Sequence, residues 1–372
     1  MPVLSGGLVD RRILSILNDR IAEEPVIALH GPRSVGKSTL LRAFAEAHGV
    51  VVVDLDDPVV LDAVSANPSV AVASVPPVCI DEYQRALDVL DAIKARLNRE
   101  GSAAGTAVLT GSTRHDAIPR TAQALTGRLH VLTILPLSQG EIAGVSENLI
   151  EALAIDPSAA VAAHPTSSTT RQSYAERVCA GGFPLALQRS DRSRARWFSD
   201  YVRLGVERDA AELAQVRHRE VLRRLVDVLA GQTGQVLNVA EAARRLDTKR
   251  ETVAGYTRLL EDLFLFVQLP AWGKTLRARA ARLPKVHVVD SGLGAWLLGA
   301  RPDRLAALDP SVLSEFGHLL ESFVVGEIRK QVSWLDDRAT LGHWRVDDDE
   351  VDVVVEFDDG RVLAFEVKSN QR

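Results

Sequence analysis

The first 140 residues alternate between short apolar runs and stretches with the spacing of an amphipathic helix. Continuous apolar runs are typical of strands that are buried on both faces of a parallel sheet. The pattern therefore predicts an α/β fold with a parallel sheet, in which ligands bind at the carboxyl ends of the strands. The predicted strands are 26–30, 50–55, 78–82, 106–112 and 130–135.

The rest of the chain changes character twice. Helical spacing dominates from about 185 to 262, and two short strands at 264–269 and 286–289 then enclose a basic segment. A helix at 317–328 and a hairpin at 350–368 follow. Residues 145–172 are rich in Ala, Ser, Thr and Pro, a composition that favours a mobile insertion.

A glycine-rich loop lies between the first strand and the following helix, and it has the spacing G-x-x-x-x-G-K-[ST]. Its glycines let backbone N–H groups face a phosphate, and the helix N-terminus adds a partial positive charge. Lys37 is placed to reach the β- and γ-phosphates of ATP, and Ser38 to hold Mg²⁺. The predicted nucleotide-binding residues are Gly31, Pro32, Arg33, Ser34, Val35, Gly36, Lys37, Ser38 and Thr39.

Two further strands end in polar residues that suit ATP hydrolysis. Asp81 and Glu82 end the third strand, where Asp81 would position Mg²⁺ and Glu82 would polarise the attacking water. Ser112 ends the fourth strand and is the candidate sensor of the γ-phosphate, with an ordinary turn as the alternative. We therefore expect Lys37, Glu82 and Ser112 in one catalytic site.

Arg128 precedes the fifth strand and is the candidate for completing the site of a neighbouring subunit. The alternative is a solvated surface arginine, and Arg114 and Arg208 could take the role instead. A contribution in trans requires an oligomer, and we expect a ring-like homo-oligomer, a hexamer.

Charge is segregated along a chain whose formal net charge is only −5. Residues 244–285 hold ten Arg or Lys against four acids, whereas the chain from 309 onward holds fifteen acids against seven bases. Residues 238–262 have the short helix, tight turn and second helix of a helix-turn-helix, and the strands around the basic segment would form a wing. We expect phosphate- and shape-driven contact with duplex or branched DNA; packing or oligomerisation is the alternative role. The predicted contacts are Lys249, Arg250, Arg258, Lys274, Arg277 and Arg279, with Lys285 also assigned to the wing.

These motifs occur in a specific order, together with the Gly-Gly-Phe-Pro turn at 181–184. The chain thereby resembles the prokaryotic family of AAA-type ATPases that carry a C-terminal domain with a restriction-endonuclease-like fold. The resemblance covers nearly the whole chain. It implies an AAA+ ATPase domain at 1–188, a helical and winged-helix domain at 189–285 and a nuclease-like domain at 286–372.

The acidic C-terminal region resembles the D…E-x-K pattern of restriction-endonuclease-like enzymes. Asp352, Glu366 and Lys368 match that pattern, and Glu321 adds a carboxylate from the preceding helix. The carboxylates would bind Mg²⁺ and the lysine would orient water beside a phosphate. An ordinary acidic hairpin, or a fold retained only for binding, are the alternatives. Because the sequence stops four residues after Lys368, we expect a shortened nuclease-like domain.

The leading hypothesis is an ATP hydrolase that remodels or translocates DNA. A nucleotide-operated switch that binds protein partners and an ATP-gated, Mg²⁺-dependent endonuclease remain alternatives. No apolar run is long enough for a membrane span, and two cysteines provide no disulfide framework, so we expect a cytoplasmic protein without membrane contact.

Overall fold

The computed structural model describes residues 9–113, 125–163, 167–210, 218–273, 275, 283–307, 310–347 and 349–369. The chain folds into two compact units, one spanning Val9–Leu137 and the other beginning at Ser138. We call them the ATPase unit and the C-terminal unit and describe each by itself.

The ATPase unit contains a five-stranded sheet in the order β2-β3-β4-β1-β5, in which every neighbouring pair is parallel. The predicted α/β parallel-sheet fold is confirmed. Its strands are β1 Val26–His30, β2 Val52–Asp54, β3 Val78–Asp81, β4 Ala107–Gly111 and β5 Leu129–Thr133. Its α-helices are α1 Arg12–Ile21, α2 Lys37–Ala47, α3 Pro58–Ala66 and α4 Val89–Glu100.

The strand order brings the polar strand ends together. All residues of β1, β3 and β4 are buried, as expected for strands covered on both faces. Strand β4 lies between β1 and β3, so Thr110 is in register with Leu29 and Leu109 with Ile80. The glycine-rich loop after β1, the acids at the end of β3 and Ser112 after β4 therefore share one edge of the sheet.

The C-terminal unit begins with a helical region. Its α-helices up to the second sheet are α5 Gln139–Ala143, α6 Leu149–Ile155, α7 Pro157–Ala163, α8 Arg171–Ala180, α9 Pro184–Leu187, α10 Asp191–Leu204 and α11 Arg219–Ala230. A π-helical turn at Gly205–Asp209 continues α10.

A helix-turn-helix with an antiparallel sheet follows, as predicted. Helices α12 Val239–Arg245 and α13 Arg250–Asp262 pack against each other and against α11. Strands β6 Gln235–Val236, β7 Phe266–Leu269 and β8 Lys285–Val288 form a sheet in the order β6-β8-β7. This is the winged-helix arrangement, with β7 and β8 flanking the predicted wing.

The last part of the C-terminal unit consists of helices and a second antiparallel sheet. The helices are α14 Ser291–Leu297, α15 Pro302–Ala306 and α16 Pro310–Val332. The strands β9 Ala339–Val346, β10 Asp349–Phe357 and β11 Val362–Phe365 pair in the order β11-β10-β9. Val325 and Ile328 of α16 pack with Val353 and Val355 of β10 in one apolar core.

The structure divides the chain differently from the predicted boundary at residue 188. Residues 138–188 belong to the C-terminal unit, because the Gly-Gly turn is fixed to the start of α14. Asp290 accepts a hydrogen bond from the Gly182 N–H at 2.7 Å and caps α14 through the Leu293 N–H at 3.0 Å. The buried carboxylate of Asp290 thus accepts hydrogen bonds from two separate segments of the chain.

The described part of 145–172, the predicted mobile insertion, contains α6, α7 and the first residues of α8. Ile150 is 1% exposed and lies in the same apolar core as α16 and β10, and its N–H donates to the side chain of Gln331. The alanines that suggested low complexity instead favour helix, since alanine has the highest helix propensity.

No helix within the described ranges is long and apolar enough to cross a membrane.

The packing of α14 on the Gly-Gly turn can be tested with two helical glycines. A Cβ at Gly292 would lie 2.7 Å from backbone atoms of Ala180 and Gly181, whereas a Cβ at Gly255 in α13 would meet nothing within 4 Å. We expect Gly292→Ala to reduce the free energy of unfolding by about 1–3 kcal/mol and Gly255→Ala to increase it by about 0.5–1 kcal/mol. Urea unfolding followed by circular dichroism measures both, and equal effects would contradict this packing.

Candidate functional site

The glycine-rich loop adopts a conformation that depends on its glycines. Gly36 has φ of +94° and is the N-cap of α2, and a Cβ at Gly31 would lie 2.0 Å from the carbonyl oxygen of Ile134. Neither position therefore accommodates a side chain without strain or displacement. The loop consequently ends at a helix N-terminus, which is the arrangement that binds phosphate.

Lys37 is folded back onto this loop. Its ammonium donates to the carbonyl oxygens of Gly31 at 2.9 Å and Pro32 at 2.7 Å, and the side chain is buried. Burial lowers the pKa of Lys37 to about 8; the nearby carboxylates of Glu82 and Asp81 oppose this shift. The structure thus brings the predicted phosphate-binding lysine within electrostatic reach of both predicted catalytic acids.

Thr110 joins the ends of β3 and β4. Its hydroxyl donates to Asp81 Oδ1 and accepts the Glu82 N–H at 3.1 Å. Glu82 has φ of +53°, an unfavourable backbone conformation for a residue with a side chain. The threonine therefore fixes the first acid through its carboxylate and the second through its backbone.

Ser112 and Gln84 hold the carboxylate of Glu82. Ser112 Oγ donates to Glu82 Oε2 at 3.2 Å, and Gln84 Nε2 donates to the same oxygen and also to Ser112 Oγ at 3.1 Å. The structure thus places the predicted γ-phosphate sensor in direct contact with the predicted catalytic glutamate.

Arg11 supports the loop from the chain segment before α1. Its guanidinium donates to the carbonyl oxygens of Val35 at 2.7 Å and Leu135 at 2.8 Å. Val35 belongs to the loop, and Leu135 lies after β5, so this arginine ties the loop to the sheet edge. Directly before the loop, buried His30 hydrogen-bonds to the Tyr83 hydroxyl through Nε2 at 3.0 Å.

The residues present fit ATP and Mg²⁺. A loop with a buried lysine and a helix N-terminus provides donors for phosphate oxygens. The hydroxyl of Ser38, at the start of α2, and the carboxylate of Asp81 are the oxygen donors that Mg²⁺ prefers. These two side chains are the ones that would hold the metal ion.

Arg128 lies away from this site in its own chain. It immediately precedes β5, whereas the glycine-rich loop follows the carboxyl end of the parallel neighbour β1. Its guanidinium donates to Asn98 Oδ1 at 2.7 Å. Any role of Arg128 in nucleotide chemistry would therefore have to be in a second subunit. Of its two alternatives, Arg114 lies outside the described residues and Arg208 lies in the C-terminal unit.

The predicted DNA contacts divide into described and undescribed residues. Lys249, Arg250 and Arg258 are exposed, and they lie at the start and along the length of α13. The neighbouring Arg244 and Arg245 both form ion pairs with Glu241. The wing residues Lys274, Arg277 and Arg279 lie outside the described residues.

The structure does not assemble the predicted nuclease-like site. Glu366 and Lys368 are exposed and pair with each other. Glu321 and Asp352 are buried, and Asp352 Oδ2 accepts the Val367 N–H at 2.8 Å. Within the described part of the chain, no group of three or more His, Cys, Asp or Glu residues could hold a metal ion.

Lys285 is not part of an exposed wing, and this assignment was wrong. It is 1% exposed and its ammonium contacts three carboxylates: Glu321 at 2.7 Å, Glu350 at 2.5 Å and Asp352 at 3.0 Å. Burial opposes the charge of Lys285, but these carboxylates outweigh it and raise the pKa of the ammonium above its usual value. We call these four residues the carboxylate cluster.

Several residues that complete these sites have little signal in the sequence. Arg11 lies 20 positions or more before the loop that it supports, and Glu350 is one of many acids in an acidic segment. Lys285 is a basic residue at the start of a strand. The apolar residues on both sides of it were the one signal that this lysine is buried. Thr110 stands at the end of an apolar strand, a position that could have identified it.

Family models match three segments of the chain. One described as an AAA domain matches residues 23–143. Two described as domains of unknown function, DUF8612 and DUF4143, match residues 171–304 and 316–372. Together with the strand–loop–helix geometry, the first match defines the ATPase unit as an AAA-type P-loop ATPase domain, a nucleotide-binding fold.

Relatives extend the similarity beyond single domains. Uncharacterised proteins of Mycobacterium bovis and Mycobacterium tuberculosis are each 30% identical over 371 residues, which is 98% of this chain and 75% of theirs. An uncharacterised protein of Haemophilus influenzae is 24% identical and covers 71% of this chain and 60% of its own length. The chain belongs to this family of AAA-type ATPases with a DUF4143 C-terminal domain.

A search of solved structures gives a Walker-type ATPase of Pyrococcus abyssi, with a TM-score of 0.47 and 14% identity over 80% of this chain and 97% of that one.

The role of Thr110 can be tested by a change that keeps its shape. Thr110→Val removes a fully buried hydroxyl and leaves Asp81 Oδ1 and the Glu82 N–H without their partner. We expect the free energy of unfolding to fall by about 1–3 kcal/mol, while Thr110→Ser, which keeps the hydroxyl, restores most of it. Urea unfolding at pH 7 checks this. Equal stability of the valine and serine variants would contradict the assigned role.

Proposed function

We propose that this chain hydrolyses ATP and uses the hydrolysis to remodel or translocate DNA. The observation that carries the proposal is the arrangement of Lys37, Asp81 and Glu82 at one edge of the sheet, with Thr110 fixing both acids. The exposed basic residues of α13 in a winged helix support DNA as the substrate.

The side chains of the ATPase unit have separate roles in the proposed reaction. Lys37 exchanges its two carbonyl partners for phosphate oxygens, and phosphate binding favours its charged form. Glu82 orients and polarises the attacking water once it leaves Gln84 and Ser112. Ser38 and Asp81 would hold Mg²⁺, which would supply positive charge to the phosphate oxygens.

The hydrogen bonds to Glu82 give the site a resting state. In the described conformation, Gln84 and Ser112 both occupy Glu82 Oε2. A carboxylate oxygen has two lone pairs, so two such bonds leave Oε2 no lone pair for a water molecule. Release of this oxygen would accompany nucleotide binding, because Ser112 is the residue that we predict to sense the γ-phosphate.

The position of Arg128 supports a ring-like homo-oligomer, and we propose a hexamer. The arginine lies at the end of the sheet opposite its own glycine-rich loop, so it can reach a nucleotide only in a neighbouring subunit. Native mass of the chain with ATP, in the Glu82→Gln background that slows turnover, tests the number of subunits.

Replacement of the proposed general base should separate binding from hydrolysis. We expect Glu82→Gln to lower the rate of phosphate release by roughly 10²–10⁴-fold while keeping ATP affinity, because the amide cannot accept the proton of water. Lys37→Ala should lose both binding and turnover. Glu46→Gln is a matched control, since Glu46 is exposed on α2. Unchanged turnover in Glu82→Gln would reject the assigned mechanism.

DNA binding can be tested through its dependence on salt. The triple variant Lys249→Ala, Arg250→Ala, Arg258→Ala removes one lysine and two arginines from α13. If each contacts one phosphate, the slope of log affinity against log salt should become less steep by about 3. The variant Lys94→Ala, Arg99→Ala, Arg304→Ala removes the same residue types from other exposed positions and should leave the slope unchanged.

Fluorescence anisotropy with duplex and branched DNA at several salt concentrations measures both variants, and phosphate release with and without DNA is measured in parallel. Equal slopes for the two triple variants would remove α13 as a DNA surface. Hydrolysis without any binding or stimulation by DNA would instead favour a nucleotide-operated switch that acts on protein partners.

A further inference from the structure

The carboxylate cluster contains Glu321 and Asp352, two of the three carboxylates that the resemblance to nucleases assigns to a divalent metal ion. Glu321 comes from α16, and Glu350 and Asp352 come from β10, and their oxygens converge from two elements on one point. Carboxylate oxygens are the ligands that Mg²⁺ and Mn²⁺ prefer, yet among the described residues these three do not form a group that could hold a metal ion. The described structure has the ammonium of Lys285 at this point.

The N–H donors of the Lys285 ammonium match the three carboxylates around it in number. A lysine side chain has three N–H donors and no acceptor, and Lys285 contacts one oxygen of each of three carboxylates. Its side chain is 2% exposed, against 10% for Glu321 and 11% for Asp352. The cation is thus more deeply buried than the acids around it.

Neighbouring groups do not replace Lys285 as the cation of the cluster. Burial, followed by the charge of Lys285, lowers the pKa of His287 to about 3, so this ring is neutral; its Nδ1 hydrogen-bonds to Ser322 Oγ at 3.0 Å. Arg345 lies near the more exposed Glu350, with Nη1 at 4.0 Å from Oε2. Lys368 is turned outward and paired with Glu366.

We propose that Lys285 is a built-in replacement for the divalent metal ion, so that the nuclease-like part of this chain is held together without metal and does not cleave DNA. The lysine occupies the point where the metal would bind, and Glu366 stays outside the cluster. Lys285 lies on β8, which belongs to the winged-helix sheet. A side chain of the winged helix therefore occupies the metal position of the nuclease-like part.

The proposal predicts that removal of the ammonium creates a metal site. In Lys285→Ala, three carboxylates lose their shared cation and surround the space left by a long side chain. We expect the wild-type cluster to bind no Mn²⁺ and the variant to bind about one ion per chain. Mn²⁺ at a hundred times its dissociation constant should raise the unfolding midpoint of the variant by about 5–10 °C, and EDTA should reverse the rise.

Electron paramagnetic resonance measures the concentration of free Mn²⁺. Nucleotide is omitted, and every variant also carries Asp81→Asn, which removes the proposed metal ligand of the ATP site. Lys368→Ala is the matched control, because it removes an exposed lysine of the same sequence pattern, and it should bind no ion. Adding Asp352→Asn to Lys285→Ala should abolish binding. None of these readouts requires ATP hydrolysis, so failure of the proposed ATPase function leaves the test intact.

Lys285→Met, which fills the space with an apolar chain, is a second variant if Lys285→Ala does not fold without metal. Folding of Lys285→Ala only with Mn²⁺ would support the proposal. Binding of Mn²⁺ by the wild-type cluster would overturn it and favour a metal-dependent nuclease. Failure of the folded Lys285→Ala variant to bind Mn²⁺ would also overturn it, because the three carboxylates would then not be a ligand set.

Discussion

A buried ammonium group requires oxygen partners, and two buried lysines of this chain meet that requirement in opposite ways. Lys37 donates to carbonyl oxygens of its own loop, and its pKa is lowered to about 8. Lys285 contacts three carboxylates, and its pKa is raised. Neutral partners that can be exchanged suit a ligand-binding lysine, because phosphate offers a stronger interaction. A structural lysine is suited to carboxylate partners, because separating the pair would leave an unpaired charge buried.

The same contrast explains how each site is built. The nucleotide site is held at the ends of parallel strands by residues that contact it from outside, such as Thr110 and Arg11. In the proposed reaction, Lys37 and Glu82 change partners while the strands stay in place. The carboxylate cluster instead joins β8, α16 and β10 directly. Movement of Lys285 would separate a charge from its partners, so this site resists rearrangement.

The sequence alone was enough to predict the elements that depend on a local pattern of residues. Continuous apolar runs predicted the parallel sheet, and the spacing of glycines and lysine predicted the loop before α2. The positions of Asp81 and Glu82 followed, because parallel strand ends share one edge. The sequence could not predict which distant charges meet. Lys285 lies among basic residues along the chain, and its burial depends on the pairing of β8 with β6 and β7. Similarly, the unit boundary depends on Asp290, whose contact with Gly182 spans 108 positions.

The contacts of β8 also show why the two segments matched to domains of unknown function form one physical unit. Thr233 Oγ1 accepts the Val288 N–H at 3.0 Å and lies 2.9 Å from Ser322 Oγ, while His287 contacts the same serine. Lys285 and His287 alternate along β8 and both face α16, whereas the strand's backbone pairs within the winged-helix sheet. One strand therefore belongs to the winged helix through its backbone and to the nuclease-like part through its side chains. A metal-free core is consistent with this arrangement, because a lysine fixed in the strand holds the two parts together at all metal concentrations.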